Sequence, residues 1–245
     1  MSAIPRPAPS DAAAVLDDLK RKLIDAGRIL EENGQADLTR GHVSVRMPGE
    51  PGLFLMKPHS LGFGEMDLAN IVVCDLDGTK VGGGGRRHSE VFIHSEIYKA
   101  RPDVQSVIHA HPVHAVALSA TGKPLLPISQ PAVTFYDGVP YYTDTIELIR
   151  TPELGAGVAR ALGAHQAVLM RNHGVAVVGT TLEEATMLAI TLDNACQIQL
   201  LAMAAGGVGE MFPHDNIERL HRVMQGAEAH AISFEYLRRK LRPAS

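Results

Sequence analysis

Leu16, Leu19, Leu23, Ala26 and Leu30 recur at alternating spacings of three and four, which puts them on one face of an amphipathic helix. Ser10 offers a polar N-cap and Gly34 a stop, so the pattern predicts a helix from Ser10 to about Gly34. The apolar runs then shorten. Val43 to Met47, Leu53 to Met56 and Ile71 to Leu76 read as strands, the last closed by an Asp77-Gly78 turn. Gly82 to Gly85 reads as a flexible break; no Lys-Ser/Thr follows it and no strand leads directly in, which argues against a phosphate loop. Glu90 to Lys99 reads as a helix and Val104 to His109 as a strand. Thr151-Pro152-Glu153 opens a helix with Pro at its first position. Gln166 to Met170 and Val175 to Val178 flank an Asn172-His173-Gly174 turn, and Thr181 with Glu184 forms a capping box. Leu182, Ala185, Ala189, Leu192 and Cys196 make a second helical stripe, and Asn216 to Leu241 reads as one charged helix. There is no internal repeat and no linker. The pattern predicts a single mixed α/β domain over residues 10–245, after a Pro-rich leader at residues 1–9.

A chain of 245 residues with 45% hydrophobic side chains is able to bury a sizeable core as one large domain. The 23 basic and 27 acidic residues give a net charge of −4, with no basic excess to neutralise phosphates, which excludes an ordinary nucleic-acid binder. No uninterrupted apolar run reaches membrane-spanning length, and the first ten residues hold Pro5, Pro7 and Pro9 without an apolar signal core. Cys74 and Cys196 are too few and too far apart for a disulfide framework, so a reducing cytoplasm is the expected location. The composition stands out in one respect: twelve His against five Tyr and no Trp.

The densest chemistry is Ile108-His109-Ala110-His111-Pro112. Residues i and i+2 of a strand share a face, so both imidazoles are able to bind one metal ion, and Pro112 ends the strand at a sheet rim. His173 offers a third ligand from its turn, where Gly174 is expected to supply a positive φ. Three His with open positions make a catalytic site, not a closed structural one, and suit zinc, manganese or cobalt. The other reading is three ordinary hydrogen-bonding histidines. Glu90 heads the helix before this strand, with Arg87, His88 and Ser89 beside it. It is either a cap complementing the helix dipole or a carboxylate next to the metal that takes and gives a proton. His94, one turn on, is expected to be a buried supporting group and not a ligand.

Arg40-Gly41-His42-Val43-Ser44, Lys57-Pro58-His59-Ser60, Ser89-Glu90, His109-Ala110-His111 and Asn172-His173-Gly174 occur in an order that resembles the class II aldolase/adducin family, over roughly Leu16 to Met203. The resemblance implies an α/β/α sandwich around a largely antiparallel sheet, and a homotetramer with active sites at subunit interfaces. It also implies one divalent metal ion per subunit. His109, His111 and His173 match the metal ligands, and Glu90 the acid/base that sometimes serves as a fourth ligand. Sugar-phosphate members carry Gly-Asn-x-Ser, Pro-Ser-Gly and a Ser-Ser pair where this chain has Gly41-His42-Val43-Ser44, Pro58-His59-Ser60 and His88-Ser89. Three small polar residues have become imidazoles, which fill phosphate space but still donate to a flat carboxylate. The form Gly-His-Val-Ser-Val-Arg looks more like the family's decarboxylase branch, which acts on hydroxylated benzene or pyridine carboxylates. The expected substrate is therefore a small aromatic carboxylate. Glu90, His59 and His88 are the candidate proton carriers, and His42, Ser44, Arg40, Ser60 and Ser89 the candidate substrate contacts. The alternatives are an aldolase on a short hydroxy-carbonyl or sugar-phosphate substrate, an epimerase, and a non-catalytic assembly module of the adducin kind.

Overall fold

The computed structural model describes residues 9–224 and 226–241. Eight strands form one sheet: β1 (His42–Met47), β2 (Glu50–Met56), β3 (Val72–Asp75), β4 (Lys80–Gly83), β5 (Ser106–Ala110), β6 (Tyr141–Tyr142), β7 (Ala167–Met170) and β8 (Gly174–Gly179). Their order is β4-β3-β2-β1-β5-β8-β7-β6, and every pairing is antiparallel except β6 with β7. The helices are α1 (Pro9–Glu32), α2 (Val91–Ala100), α3 (Val113–Thr121), α4 (Gln130–Val133), α5 (Pro152–Leu162), α6 (Leu182–Ala204), α7 (His214–Met224) and α8 (Ala227–Lys240).

Strand alternation sorts the side chains into two cores. Val43 and Val45 of β1, Ile108 of β5 and Val175 and Val177 of β8 pack with α1, α3, α6 and α8 on one face. Val107 of β5 and Ala176 and Val178 of β8 pack with α2 and α5 on the other. The result is the expected α/β/α sandwich. Leu23, Ala26 and Leu30 of the predicted α1 stripe are fully buried, and truncating a leucine of this kind to Ala costs about 2–5 kcal/mol.

Several expectations change. The first helix starts at Pro9, so Ser10 lies inside it and is not its cap; the rest of the expected leader lies outside the described residues. The Gly82 to Gly85 run is not a flexible break. It supplies the end of edge strand β4 and the chain just beyond it, and a Cβ on Gly83 would sit 2.0 Å from the Ile71 carbonyl oxygen, on Gly84 2.2 Å from that of Ala69. Those glycines allow two backbones to lie against each other. The expected C-terminal helix is two, α7 and α8, with Gly226 as the N-cap of the second. In the capping box Thr181 accepts the Glu184 N–H as expected, but Glu184 reaches back to the N–H of Thr180. Finally, α6 with 23 residues is long and apolar enough to cross a bilayer, which the sequence reading did not anticipate; here Leu182, Ala185, Leu188, Ala189, Leu192 and Cys196 belong to the core.

Candidate functional site

His42 and His109 stand directly opposite each other on the antiparallel β1–β5 pair, both on the α2 side of the sheet. β5 ends at Ala110, so His111 lies just past the strand, not on it, and Pro112 becomes the N-cap of α3. The turn of the chain tilts the two rings to 85°, yet their Nε2 atoms come within 3.1 Å. His173 projects from the β7–β8 turn, its ring centroid 5.1 Å from His109 and 5.3 Å from His111. The positive φ of that turn belongs to Asn172, at 58°, and not to Gly174 as expected. Gly174 is needed for room instead: a Cβ there would lie 2.5 Å from the Ala110 carbonyl oxygen and 2.6 Å from His111 Cδ2.

Hydrogen bonds behind these rings define which nitrogen faces the centre. His109 Nδ1 donates to the Val175 carbonyl at 2.9 Å, and His111 Nδ1 donates to Asp37 Oδ2 at 3.1 Å. Burial alone would raise the Asp37 carboxyl pKa, but its bonds to Arg40 and His111 outweigh that and leave it below its usual range, so it is ionised and accepts. Both rings therefore turn an unprotonated Nε2 inward. Two lone pairs facing each other at 3.1 Å repel, and both nitrogens of half-buried His173 are themselves buried without a hydrogen-bond partner among the described residues. A cation among the three nitrogens resolves both problems. The donor set fits a divalent metal held by three imidazoles, two of which, His109 and His111, are backed as metal-binding histidines are.

Glu90 occupies the N-cap position of α2 but makes no capping hydrogen bond, so the dipole-cap reading does not describe it. Its Oε1 accepts the Ile149 N–H at 2.9 Å and lies 3.6 Å from His173 Nε2. Its Oε2 is 3.9 Å from the Nε2 atoms of both His42 and His109. Burial raises the Glu90 pKa, opposed by the Ile149 N–H. The carboxyl is thus poised to exchange a proton beside the three nitrogens.

The other histidines continue the wall as an arc. Ring centroids are 4.9 Å apart for His109 and His42, 4.0 Å for His42 and His88, and 5.0 Å for His88 and His59. Burial, and then proximity to Lys57 and to other imidazoles, pushes the His88 pKa down to about 3. Burial holds His42 well below its usual value and lowers His59. These rings are neutral hydrogen-bonding groups near neutral pH. The expectation for Ser44 is corrected. It is fully buried beneath the arc, its hydroxyl bonded to His94 Nδ1 at 2.6 Å and Tyr98 Oη at 2.7 Å, so it has no reach to a substrate. Ser60 lies on the exposed rim, bonded to His59 Nδ1 at 2.5 Å, and Ser89 is half-buried beside Glu90. Arg40 sits on Asp37 at 3.1 Å behind His111, while Arg87 stacks on Phe92 with its Cζ 5.6 Å from the ring centroid.

Three supporting residues escaped the sequence reading. Asp37 and the Ile149 N–H carry no motif. Lys57 was visible in Lys57-Pro58-His59-Ser60 but without a role: its fully buried ammonium donates to the carbonyls of Thr39, Pro58 and Leu61 and holds the loop that presents His59. Burial lowers its pKa to about 8.

A largely antiparallel α/β/α sandwich with three convergent imidazoles and a buried carboxylate at one end of its central strands defines a class of lyase-type enzymes. The chain belongs to the class II aldolase and adducin N-terminal domain family, whose description matches residues 21–200. It is 38% identical over 187 residues to the meiotically up-regulated gene 14 protein of Schizosaccharomyces pombe, covering 76% of this chain and 73% of that one. Against the 3,4-dihydroxyphthalate decarboxylase of Arthrobacter keyseri it is 31% identical over 211 residues, covering 80% and 83%. Among solved structures, the L-fuculose 1-phosphate aldolase of Glaciozyma antarctica superposes with a TM-score of 0.83 at 30% identity, covering 97% of this chain and 93% of that one.

Proposed function

We propose that the protein is a divalent-metal-dependent carboxy-lyase acting on a hydroxylated benzene or pyridine carboxylate. The observation that carries this reading is the arc of His42, His88 and His59, whose rings lie 4.0 and 5.0 Å apart where sugar-phosphate relatives keep small polar residues. Such a wall leaves little room for a tetrahedral phosphate and exposes few backbone N–H groups, but it offers flat faces and ring N–H donors to a planar acid. Similarity to a 3,4-dihydroxyphthalate decarboxylase supports it.

His109, His111 and His173 would hold the ion, with Glu90 within reach as a fourth ligand. When bound, a divalent ion supplies Lewis-acid stabilisation of the electron pair left by carbon–carbon cleavage. The protein's own part is to place and move a proton. Glu90, its pKa raised by burial, holds the proton and delivers it to the ring carbon bearing the carboxylate. That carbon becomes tetrahedral and the neighbouring phenolate becomes a keto group. The carbon–carboxylate bond then breaks, its electrons restore the aromatic phenolate, and CO2 leaves. His42, His59 and His88 orient the departing and any remaining carboxylate. A homotetramer acting in the cytoplasm belongs to the same proposal; exposed Leu201, Phe212 and Val223 on and beside α6 and α7 are apolar surface of the kind an assembly covers.

An aldolase acting on a short hydroxy-carbonyl or sugar-phosphate substrate is the second reading, supported by the superposition on L-fuculose 1-phosphate aldolase. The test is manganese- or zinc-loaded protein offered hydroxylated benzene- and pyridine-carboxylates, with sugar phosphates and a chelator control alongside. Chelator-sensitive CO2 release is the expected result. Aldehyde release without CO2 would move the assignment to the aldolase.

A further inference from the structure

Seven imidazoles crowd one end of the sheet, and among the described residues a metal ion has two alternative sets of three side chains to choose from: His109, His111 and His173, or His42, Glu90 and His109. Distance does not separate the two sets. The hydrogen bonds behind the rings do, because a neutral imidazole carries one proton, and whatever faces one nitrogen decides whether the other is a donor or a lone pair.

Behind His42 runs a fully buried chain of three groups. His42 Nδ1 meets His94 Nε2 at 2.5 Å, His94 Nδ1 meets Ser44 Oγ at 2.6 Å, and Ser44 Oγ meets Tyr98 Oη at 2.7 Å. Only one direction of donation satisfies it well. Among the described residues the other acceptor within reach of the Tyr98 hydroxyl is the Gln105 carbonyl, at a long 3.5 Å against 2.7 Å to Ser44 Oγ, so the strong bond is the one to Ser44. Tyr98 therefore donates to Ser44, whose single proton goes to His94 Nδ1. The proton of His94 is then on Nε2 and is donated to His42 Nδ1. That leaves the His42 proton on Nε2, the buried nitrogen without a hydrogen-bond partner that faces Glu90 and the arc. His88 is set the same way, since its Nδ1 accepts the Glu90 N–H at 3.4 Å. His109 and His111 are set the opposite way, each backed by an acceptor, the Val175 carbonyl or the Asp37 carboxylate.

We infer that the Tyr98–Ser44–His94 chain fixes His42 as a ring N–H donor, which removes it from the metal's ligands and assigns it to an anionic group of the substrate. His94, Ser44 and Tyr98 are positioning residues, acting through His42. The anionic-substrate half rests on the decarboxylase reading; the tautomer half does not. The arrangement also gives the imidazole at position 42 a chemistry: it replaces a small polar residue with a donor whose direction is locked from behind, suited to a planar carboxylate.

The test is two-bond ¹H–¹⁵N correlation spectroscopy of imidazole nitrogens in the folded protein, first metal-free and then titrated with zinc. The expected spectrum shows His42 protonated on Nε2 and His109 and His111 protonated on Nδ1. Zinc should move the Nε2 resonances of His109, His111 and His173 and leave the His42 Nε2–H bond intact. His42 protonated on Nδ1, or loss of its Nε2 proton on adding zinc, would overturn the inference. Two variants separate direction from packing. H94Q, whose amide both donates and accepts, should keep His42 protonated on Nε2, whereas Y98F should release it into a mixture of tautomers. A Y98F spectrum identical to the parent's would show that the chain does not set the direction. None of these readouts needs turnover, so a failure to release CO2 sinks the substrate reading alone. If CO2 is released, H42F should raise KM for the acid roughly tenfold or more, the loss expected when a hydrogen bond to a charged group is removed, with zinc affinity unchanged.

Discussion

Glu90 stands at the head of α2 yet gives its carboxylate to the N–H of Ile149 at 2.9 Å, which turns it away from the helix and toward the imidazoles. The carboxylate is 3% exposed and raised in pKa. Replacement of Glu90 by Gln keeps the shape and the acceptor for Ile149 but removes the exchangeable proton. Turnover should fall by roughly 10²–10⁴-fold, the usual contribution of a positioned general acid, while metal content measured by plasma emission is unchanged. Unchanged turnover would remove Glu90 from the reaction.

Gly174 and His111 are coupled by a lack of space. A Cβ on Gly174 would lie 2.6 Å from His111 Cδ2 and 2.5 Å from the Ala110 carbonyl oxygen, so Gly174→Ala must displace the His111 ring. Zinc affinity by calorimetry should drop by roughly 10–100-fold, the loss typical when a ligand's support is removed. Wild-type affinity in this variant would show that His111 is not a ligand.

The metal-free protein should be acid-sensitive, and the sign follows from the imidazoles. Burial, the largest cause in each case, holds His88 and His94 at about 3 and His173 at about 4, and keeps His42 and His109 well below the usual value. In the unfolded chain each binds a proton as pH falls through about 6.5. The unfolded state thus holds more protons between about pH 6.5 and pH 4, so the stability present above that window is lost as pH falls through it. Glu90, raised by burial, works in the opposite direction, but as one group against five. Urea unfolding at about pH 7, 6 and 5 checks this; a flat profile would contradict the neutral imidazole cluster.

Leu38 adopts φ 52° with its side chain 82% exposed, a left-handed backbone conformation with little burial in return. Leu38→Gly relieves that conformation, offset in part by the greater freedom of Gly in the unfolded chain. A net gain of about 0.5–1 kcal/mol is expected, raising Tm by roughly 1–4 °C. A lower Tm would mean that the exposed leucine makes a contact that matters.

Much of the fold follows from periodicity. The α1 and α6 stripes are written in spacings of three and four, because one face of each packs on the core, whereas β1, β5, β7 and β8 show as short runs because both of their faces are buried. β6 was missed because two residues, Tyr141–Tyr142, are too few to show a period, and β4 because its glycines look like a break until the backbone beside them is seen. The break at Gly226 was missed for the opposite reason: charged positions continue across it without a change of pattern. At the site, the histidines and Glu90 announce themselves by type and order. Their supports do not. Asp37 acts on His111 from 74 residues away and Ile149 on Glu90 from 59, so only the fold brings the partners together. Ser44 shows the limit of strand parity: it shares a face with His42 but lies deeper under α2, where Tyr98 and His94 take its hydroxyl.

The central claim is that this site exchanges a carboxylate for a proton on an aromatic ring. The most direct measurement is to run the zinc- or manganese-loaded protein in D2O with the panel of hydroxylated benzene- and pyridine-carboxylates and follow the products by NMR. The account predicts one product carrying deuterium at the vacated ring carbon, with CO2 released in equal amount and both abolished by chelator. Aldehyde signals without ring deuteration, or CO2 release that persists in excess chelator, would contradict it.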